Sequence, residues 1–150
     1  IHIIMKLRFI FLGKKNSLDF DKKMNKYIHR IHNYIKAECI YFDDNNQFKL
    51  EQKILKKIKS QDQLIVLDEK GQELNTMKYA HFIEEKIMNN ESIVFLVGNA
   101  YGVSESIIKQ ARHVISLSKM TLPHMVARLI ILEQTYRAFC ILNNHPYHHA

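Results

Sequence analysis

The spacing of apolar residues alternates along the chain between two patterns. Short, nearly continuous apolar runs predict five strands, at residues 5–12, 37–42, 63–67, 92–97 and 114–117. Between these runs apolar residues recur every three or four positions, which predicts amphipathic helices. The predicted helices cover residues 17–36, 48–59, 76–88, 105–112 and 121–142. Strands that alternate with helices are typical of an α/β fold with a mostly parallel sheet.

Three loops are expected to lie together at one edge of this sheet. In open parallel sheets, ligands bind beyond the carboxyl ends of the strands. The loops that follow the last three predicted strands begin after Leu67, at residues 98–102 and at residues 117–123. A small-molecule site is therefore expected among these loops.

The last predicted helix is apolar around most of its circumference. Thr121 is expected to cap its start, with Pro123 in the first turn. A helix at the surface of a globular protein needs only one apolar stripe, so this helix is expected to be buried on two sides. The second side is covered either by a partner subunit or by other elements of the same chain.

The chain of 150 residues is long enough for a hydrophobic core, and residues 1–150 are predicted to form a single domain. We interpret Met5 as the natural start and residues 1–4 as an upstream extension. Cys39 and Cys140 lie within apolar runs without metal-binding spacing, which indicates buried free thiols in a reducing cytoplasm. No run of about 18 apolar residues occurs, so no membrane-spanning helix is predicted.

Positive charge is concentrated in the first part of the chain. The formal net charge is +7, and residues 5–59 contain 14 Lys and Arg against 6 Asp and Glu, whereas residues 60–150 contain 8 against 9. Such a one-sided basic excess suits a polyanionic partner such as nucleic acid. Lys outnumbers Arg by 17 to 5, so a compositional bias that merely solvates the helices is the alternative interpretation.

Two of the three loops have residues suited to a ligand. Gly98 and Gly102 let a ligand approach the backbone closely, although a simple strand-to-helix turn has the same composition. The small and apolar residues of loop 117–123 are able to surround an adenine. His124 follows in the first turn of the last helix, where the helix dipole favours a neutral imidazole. It is either a proton acceptor or a buried capping residue.

The segment at residues 143–150 contains three histidines: His145, His148 and His149. They allow a metal site, but terminal residues are usually loosely held, and a solvated segment is the simpler interpretation. We therefore predict no bound metal.

Taken together, these stretches resemble the bacterial ribosomal large subunit methyltransferase H family, which belongs to the SPOUT class. The matching stretches are residues 65–68, 95–98, 101–102, 116–124, 128, 133–134, 136–138 and 144–148. Gly13 and Lys14, at the end of the first predicted strand, also fit the family. The C-terminal block is long and specific.

This resemblance implies a fold, an assembly and a cofactor. The implied fold is the SPOUT α/β knot, a trefoil-knotted, mostly parallel sheet flanked by helices. The implied assembly is a homodimer formed through the last helix, and the implied cofactor is S-adenosyl-L-methionine. The positions that match the family's cofactor site are Leu67, Gly98, Gly102, Leu117, Ser118, Lys119, Met120, Thr121 and Leu122.

The resemblance also implies methylation of N3 of pseudouridine 1915, in helix 69 of 23S rRNA, within the assembled ribosome. His124 and Tyr147 match polar positions of the family's active site, and Arg128 is the third residue predicted to be catalytic. Either His124 or Tyr147 is expected to assist removal of the N3 proton or to orient the base. Tyr147 is expected to reach the cofactor of the partner subunit. Contacts with rRNA are expected from Lys14, Lys15, Lys22, Lys23 and Lys26.

Two positions depart from the family's pattern. The family usually has Gly where this chain has Asn99, and often Arg where it has His149. Asn tolerates left-handed backbone better than most residues, so the turn at Asn99 is expected to survive. The main alternative is a non-catalytic SPOUT relative that binds the ribosome or RNA without a cofactor. A nucleotide-binding signalling module would need a phosphate loop, which the sequence lacks, and a structural ribosomal protein should be basic throughout.

Overall fold

The fold was analysed in a computed structural model that describes residues 5–15 and 17–149, so the interpretation of residues 1–4 lies outside it. Within these ranges, five strands form one sheet in the spatial order β2-β1-β4-β3-β5. The strands are β1 (Lys6–Leu12), β2 (Lys36–Phe42), β3 (Asp62–Glu73), β4 (Ser92–Val97) and β5 (His113–Ser116). The helices are α1 (Leu18–Ile31), α2 (Gln47–Lys57), α3 (Thr76–Met88), α4 (Glu105–Ile108) and α5 (His124–Leu142). Every strand pair is parallel, which confirms the predicted α/β fold.

Strand β3 is longer than predicted because it continues beyond a bulge. Leu67 pairs with Ile115, and Gln72 pairs with the same residue after residues 68–71 leave the ladder. The extension is polar, so the apolar run at residues 63–67 gave no indication of it.

Helix α1 ends at Ile31, five residues before the predicted end. The Ala37 amide donates to Nδ1 of His32 at 3.1 Å, and this contact turns the chain from the helix into β2. Helix α4 is also shorter than predicted and ends at Ile108 rather than at residue 112.

Helix α5 begins at His124, and the prediction that Thr121 caps it is wrong. Pro123 occupies the capping position without a side-chain hydrogen bond. The Thr121 hydroxyl instead donates to Oε2 of Glu69 at 3.1 Å, so it ties the preceding loop to the bulge of β3.

The two faces of the sheet carry separate hydrophobic cores. Phe9 and Phe11 of β1 contribute to the core beneath α1, α3 and α5, where Phe9 stacks on Phe95 at 5.2 Å. Ile10 and Leu12 point to the opposite face and pack with residues of α2 and α4. This alternation follows from the two-residue period of a strand, so both faces of β1 are covered by helices.

Helix α5 packs between α1 and α3 on one face of the sheet. The Tyr34 ring, just after α1, stacks on Phe139 at 5.5 Å, and Tyr79 of α3 is hydrogen bonded to Thr135 at 2.8 Å. Elements of the same chain therefore cover the two sides of α5, and its apolar circumference by itself no longer requires a second subunit. No helix in the described ranges has the length and apolar character needed to cross a bilayer.

Both cysteines are free thiols, as predicted. Cys140 is buried in α5 and Cys39 is half-buried in β2. Burial raises the pKa of the Cys39 thiol to about 12, so it remains protonated at neutral pH and is a poor nucleophile.

Candidate active site

The predicted ligand-binding loops meet at the edge where the parallel strands end, called here the carboxyl edge. The turn at Gly13, the loop at residues 98–102 and the loop at residues 117–123 all leave the sheet there. A Cβ placed on Gly13 would lie 3.7 Å from Cβ of Asn99 and 3.2 Å from Nη2 of Arg128. The turn after β1, the turn after β4 and helix α5 are therefore in close contact, as sheet topology predicts.

The loop at residues 98–102 is a tight, internally hydrogen-bonded turn. The Gly102 amide donates to the carbonyl oxygen of Asn99, and the Tyr101 amide donates to Oδ1 of Asn99, both at 2.9 Å. A Cβ on Gly98 would lie 2.6 Å from the carbonyl carbon of Gly102, so a side chain there would force the turn open. Gly102 has a φ of +79°, whereas Asn99 is not among the residues with positive φ. The expected left-handed tolerance of Asn99 is therefore not required.

The loop at residues 117–123 rests on the polar extension of β3. Its start is fixed by the Ser116 hydroxyl, which donates to the Ser118 carbonyl at 2.8 Å, and by the Met120 amide, which donates to Oγ of Ser118 at 2.9 Å. Gly71 permits the close approach, since a Cβ there would lie 2.7 Å from the Val114 backbone. The bulge of β3 is thus part of the site's framework.

A cavity of about 330 Å³ lies between the end of β5, the start of α3 and helix α5. It is lined by Leu74, Asn75, Thr76, Tyr79, Ile115, Ser116, Leu117, Ile130, Ile131 and Gln134. Its size and its mixture of apolar and polar groups suit a small-molecule ligand. Of the residues predicted to bind the cofactor, Leu117 lines the cavity. The residues at 74–76 were missed, because nothing in their spacing distinguishes them from an ordinary helix start.

A larger cleft, of about 710 Å³, lies at the opposite edge of the sheet. It is lined mostly by residues at the ends of α2 and α4 and at the start of β3, including Ile58, Asp62 and Ala111. None of the predicted site residues lines it, so cavity size alone does not identify the site.

His124 and Arg128 lie one helical turn apart on α5, and Arg128 contacts the turn after β1. The Arg128 side chain is fully buried, and its Nη1 and Nη2 donate to the carbonyl oxygens of Lys14 and Leu12, each at 2.9 Å. Burial lowers the pKa of His124, and the positive charge of Arg128 lowers it further. This lowered pKa favours the neutral imidazole at neutral pH, with burial as the principal cause.

Tyr147 is held against the outer part of α5 by a polar network. Its hydroxyl donates to Oε1 of Glu133 at 3.1 Å, and its ring lies 4.7 Å from Cζ of Arg137. Arg137 also donates to the same Glu133 oxygen and, at 3.0 Å, to Nδ1 of His148. The tail is therefore folded onto the helix rather than loose. Glu133 and Arg137 lie within the resembling block, but their part in holding the tail was missed.

The structure does not bring Tyr147 to His124 within one chain. The contacts of Tyr147 on α5 begin at Glu133, nine residues after His124, which corresponds to roughly 14 Å along a helix axis. Leu67, the glycines at 98 and 102, and the loop at residues 117–122 lie at the carboxyl edge with His124. The predicted site residues therefore form one group at this edge and a second group around Tyr147.

No group of His, Cys, Asp and Glu in the part of the chain that the structure describes is arranged to hold a metal ion. His148 is instead hydrogen bonded to Arg137, and His145 accepts a hydrogen bond from the Tyr147 amide at 3.2 Å.

Comparison with known proteins identifies the class. The family profile described as "Predicted SPOUT methyltransferase" matches residues 5–148. Two solved structures share the fold: a probable methyltransferase from Bordetella pertussis (TM-score 0.60, 9% identity, 89% of this chain and 94% of that one) and a probable methylase family protein from Haemophilus influenzae (TM-score 0.57, 11% identity, 96% and 70%). The chain belongs to the SPOUT methyltransferases.

Full-length relatives specify the family within that class. The chain is 41% identical to ribosomal RNA large subunit methyltransferase H of Parabacteroides distasonis, over 97% of this chain and 99% of the relative. It is 37% identical to the protein of the same name from Trichlorobacter lovleyi, over 97% and 100%. The chain is thus a member of the ribosomal RNA large subunit methyltransferase H family, which confirms the resemblance found in the sequence.

Proposed function

We propose that this protein transfers a methyl group from S-adenosyl-L-methionine to N3 of a pseudouridine in helix 69 of 23S rRNA, on the assembled ribosome in the cytoplasm. The proposal is carried by the match, over 97% of the chain, to relatives named as ribosomal RNA large subunit methyltransferases. The grouping of the predicted site residues at the carboxyl edge supports it.

The carboxyl edge suits a nucleoside cofactor. The cavity there combines apolar walls, such as Leu117 and Ile130, with polar groups on Ser116 and Gln134. The turn at Gly98 leaves no room for a side chain, because a Cβ there would meet the Gly102 backbone. We propose that Leu67, Gly98, Gly102 and the loop at residues 117–122 hold the cofactor, which supplies a methyl group on a sulfonium and thus an intrinsically good leaving group.

The chain's own contribution is to orient the base and to accept a proton. Methyl transfer to N3 requires loss of the N3 proton, and a neutral imidazole at pH 7 is a suitable acceptor. His124 meets this requirement because burial and Arg128 both lower its pKa. Positioning the two reactants supplies much of the rate in such bimolecular reactions.

Arg128 is better suited to positioning than to contact with the substrate. Its guanidinium is fully buried and donates to two backbone carbonyls of the turn after β1. We therefore propose that Arg128 acts through the neighbouring His124 and the Gly13 turn, rather than as the directly acting residue that the sequence predicted.

We propose a homodimer in which each site is completed by Tyr147 of the other chain. The separation between Tyr147 and His124 within one chain supports this arrangement. Mixing Tyr147→Phe and His124→Gln proteins, each expected to have little activity alone, tests it. Random exchange of subunits makes about half of the dimers mixed, and one of the two composite sites in each mixed dimer is intact. The mixture should therefore regain roughly a quarter of the wild-type activity. A mixture that stays inactive after confirmed subunit exchange contradicts the composite site.

Exposed lysines are proposed to attract the rRNA. Lys14, Lys15, Lys22, Lys23 and Lys26 are all exposed around the turn after β1 and along α1. Contacts with phosphate release counterions, so binding should weaken as salt increases.

Incubation with intact ribosomes from a strain lacking this modification tests the activity. Labelled cofactor and mass mapping of the product nucleotide should place one methyl group on the helix 69 pseudouridine. Labelling elsewhere, or none, contradicts the proposal. The alternative is a non-catalytic relative, and the feature that favours it is Asn99 in place of the family's usual Gly. Calorimetry with S-adenosyl-L-methionine separates the two functions directly.

A further inference from the structure

Exposed apolar side chains are concentrated at the carboxyl edge. Of the eight large hydrophobic residues exposed in the described ranges, six belong to loops or first helical turns at this edge. They are Leu18, Phe48, Met77, Tyr101, Met120 and Met125. Single exposed apolar residues are ordinary, but their concentration around one candidate site indicates a surface that is covered in use.

Tyr101 is the most exposed of these residues, at 97%, and its backbone is held firmly. It lies at the tip of the turn that Asn99 closes with two hydrogen bonds, through its side chain and its carbonyl. Gly98 lies so close to Gly102 that a Cβ on Gly98 would be 2.6 Å from the carbonyl carbon of Gly102. A residue held in so short a turn loses little backbone freedom when its side chain contacts a partner.

The charges next to this turn identify the partner. Gly13 lies against Asn99, so the turn after β1, with the exposed Lys14 and Lys15, adjoins the turn that carries Tyr101. A planar aromatic ring beside cations is the combination that binds unpaired nucleotides, by stacking on the base while the lysines attract the phosphates.

We propose that Tyr101 is a stacking platform for an unpaired RNA base that neighbours the methylated nucleotide. This inference rests on the proposed function, because it needs RNA at the carboxyl edge. Asn99 then has a specific role, because its side chain fixes the backbone from which the Tyr101 ring projects. Tyr101 is a substrate-positioning residue in this account and takes no part in proton or methyl transfer.

Three substitutions separate stacking from other uses of an exposed ring. Tyr101→Phe keeps the planar face, whereas Tyr101→Leu keeps an apolar side chain without one. Met88→Ala is the matched control, because Met88 is 75% exposed at the opposite edge of the sheet. Steady-state methyl transfer to unmodified ribosomes should give a KM for ribosomes raised about tenfold in Tyr101→Leu and within about twofold of wild type in Tyr101→Phe. We expect kcat and the calorimetric Kd for S-adenosyl-L-methionine to stay unchanged.

Salt dependence gives a second readout. Stacking involves no counterion release, so Tyr101→Leu should keep the wild-type slope of log KM against log salt, whereas Lys14→Ala should reduce that slope by about one. An unchanged KM in Tyr101→Leu overturns the inference while leaving the proposed function intact. Absence of methyl transfer by the wild-type protein contradicts both proposals.

Discussion

Arg128 of the last helix donates a 2.9 Å hydrogen bond through Nη2 to the carbonyl oxygen of Leu12, at the end of the first strand. The rings of Phe11 and Tyr41 lie 5.4 and 5.3 Å from its Cζ, so the cation is also enclosed by aromatic faces. Burial lowers the pKa of the guanidinium, while nearby acidic groups such as Asp21 oppose that shift. The contact fixes the turn on which the candidate site is built.

Replacement of this arginine should destabilise the fold. Arg128→Met keeps much of the volume but leaves the buried carbonyl oxygen of Leu12 and the partly buried one of Lys14 without this donor. We expect the free energy of unfolding to fall by about 3 kcal/mol. Urea denaturation measures it. The exposed Arg112 is the matched control, and Arg112→Met should change stability by less than about 0.5 kcal/mol. Equal effects from the two variants would show that the buried contacts contribute little.

The two glycines of the turn after β4 should respond to alanine for different reasons. Gly98→Ala places a Cβ 2.6 Å from the Gly102 backbone, so the turn must open, at a cost of about 1–3 kcal/mol. Gly102→Ala meets no atom within 4 Å, but its φ of +79° costs about 1 kcal/mol. Calorimetry should therefore show a loss of cofactor affinity that is greater for Gly98→Ala. Unchanged cofactor affinity in Gly98→Ala would show that this turn is not part of the cofactor site.

Methyl transfer should decline on acidification below pH 6.5. His124 has a lowered pKa, so it stays neutral at pH 7 and takes up a proton only as the pH falls through its folded-state value. The unfolded chain binds that proton at higher pH, so His124 makes stability rise with pH across this interval and fall on acidification. Rate profiles and melting temperatures between pH 5 and 8 measure both effects. His124→Asn should flatten the melting-temperature profile, whereas His29→Asn, on the exposed part of α1, should leave it unchanged.

The hydroxyl of Tyr147 should matter for turnover more than for folding. Tyr147→Phe removes the hydrogen bond to Glu133, in a half-buried position, and should lower stability by no more than about 1 kcal/mol. We expect kcat to fall at least about tenfold, which is the effect expected when one polar contact in the transition state is lost. Tyr34→Phe, which removes a hydroxyl from a ring stacked on Phe139 in the same part of α5, is the control. Wild-type turnover in Tyr147→Phe would exclude a role for the hydroxyl.

Most of the fold was predictable because the burial of strands and helices imposes a regular spacing of apolar residues on the sequence. The continuous apolar runs around Phe9, Ile65 and Phe95 can only be strands covered on both faces, and the structure has them there. The extension of β3 at residues 68–73 was missed because its stability comes from backbone pairing with β5, which leaves no pattern of apolar residues. The start of α5 was predicted too early for a similar reason, since the hydroxyl of Thr121 bonds to a residue 52 positions away and does not cap the helix.

The candidate site was predictable only where it coincides with distinctive loop residues. Gly98 and Leu117 could be identified from loops that follow strands. The lining at residues 74–76 and the Glu133–Arg137 support of Tyr147 depend on which elements pack together in three dimensions. The buried state of Arg128 was likewise invisible, because nothing in the sequence distinguishes an arginine that meets backbone carbonyls from one that meets phosphate.

The position of α5 also affects how the chain folds during synthesis. Contacts such as Arg128 with Leu12 join residues 116 positions apart, and the helix that makes them covers the face holding Phe9 and Phe11. While α5 is still being synthesised, that face lacks one of its three covering helices, and the slow formation of such distant contacts prolongs the exposure.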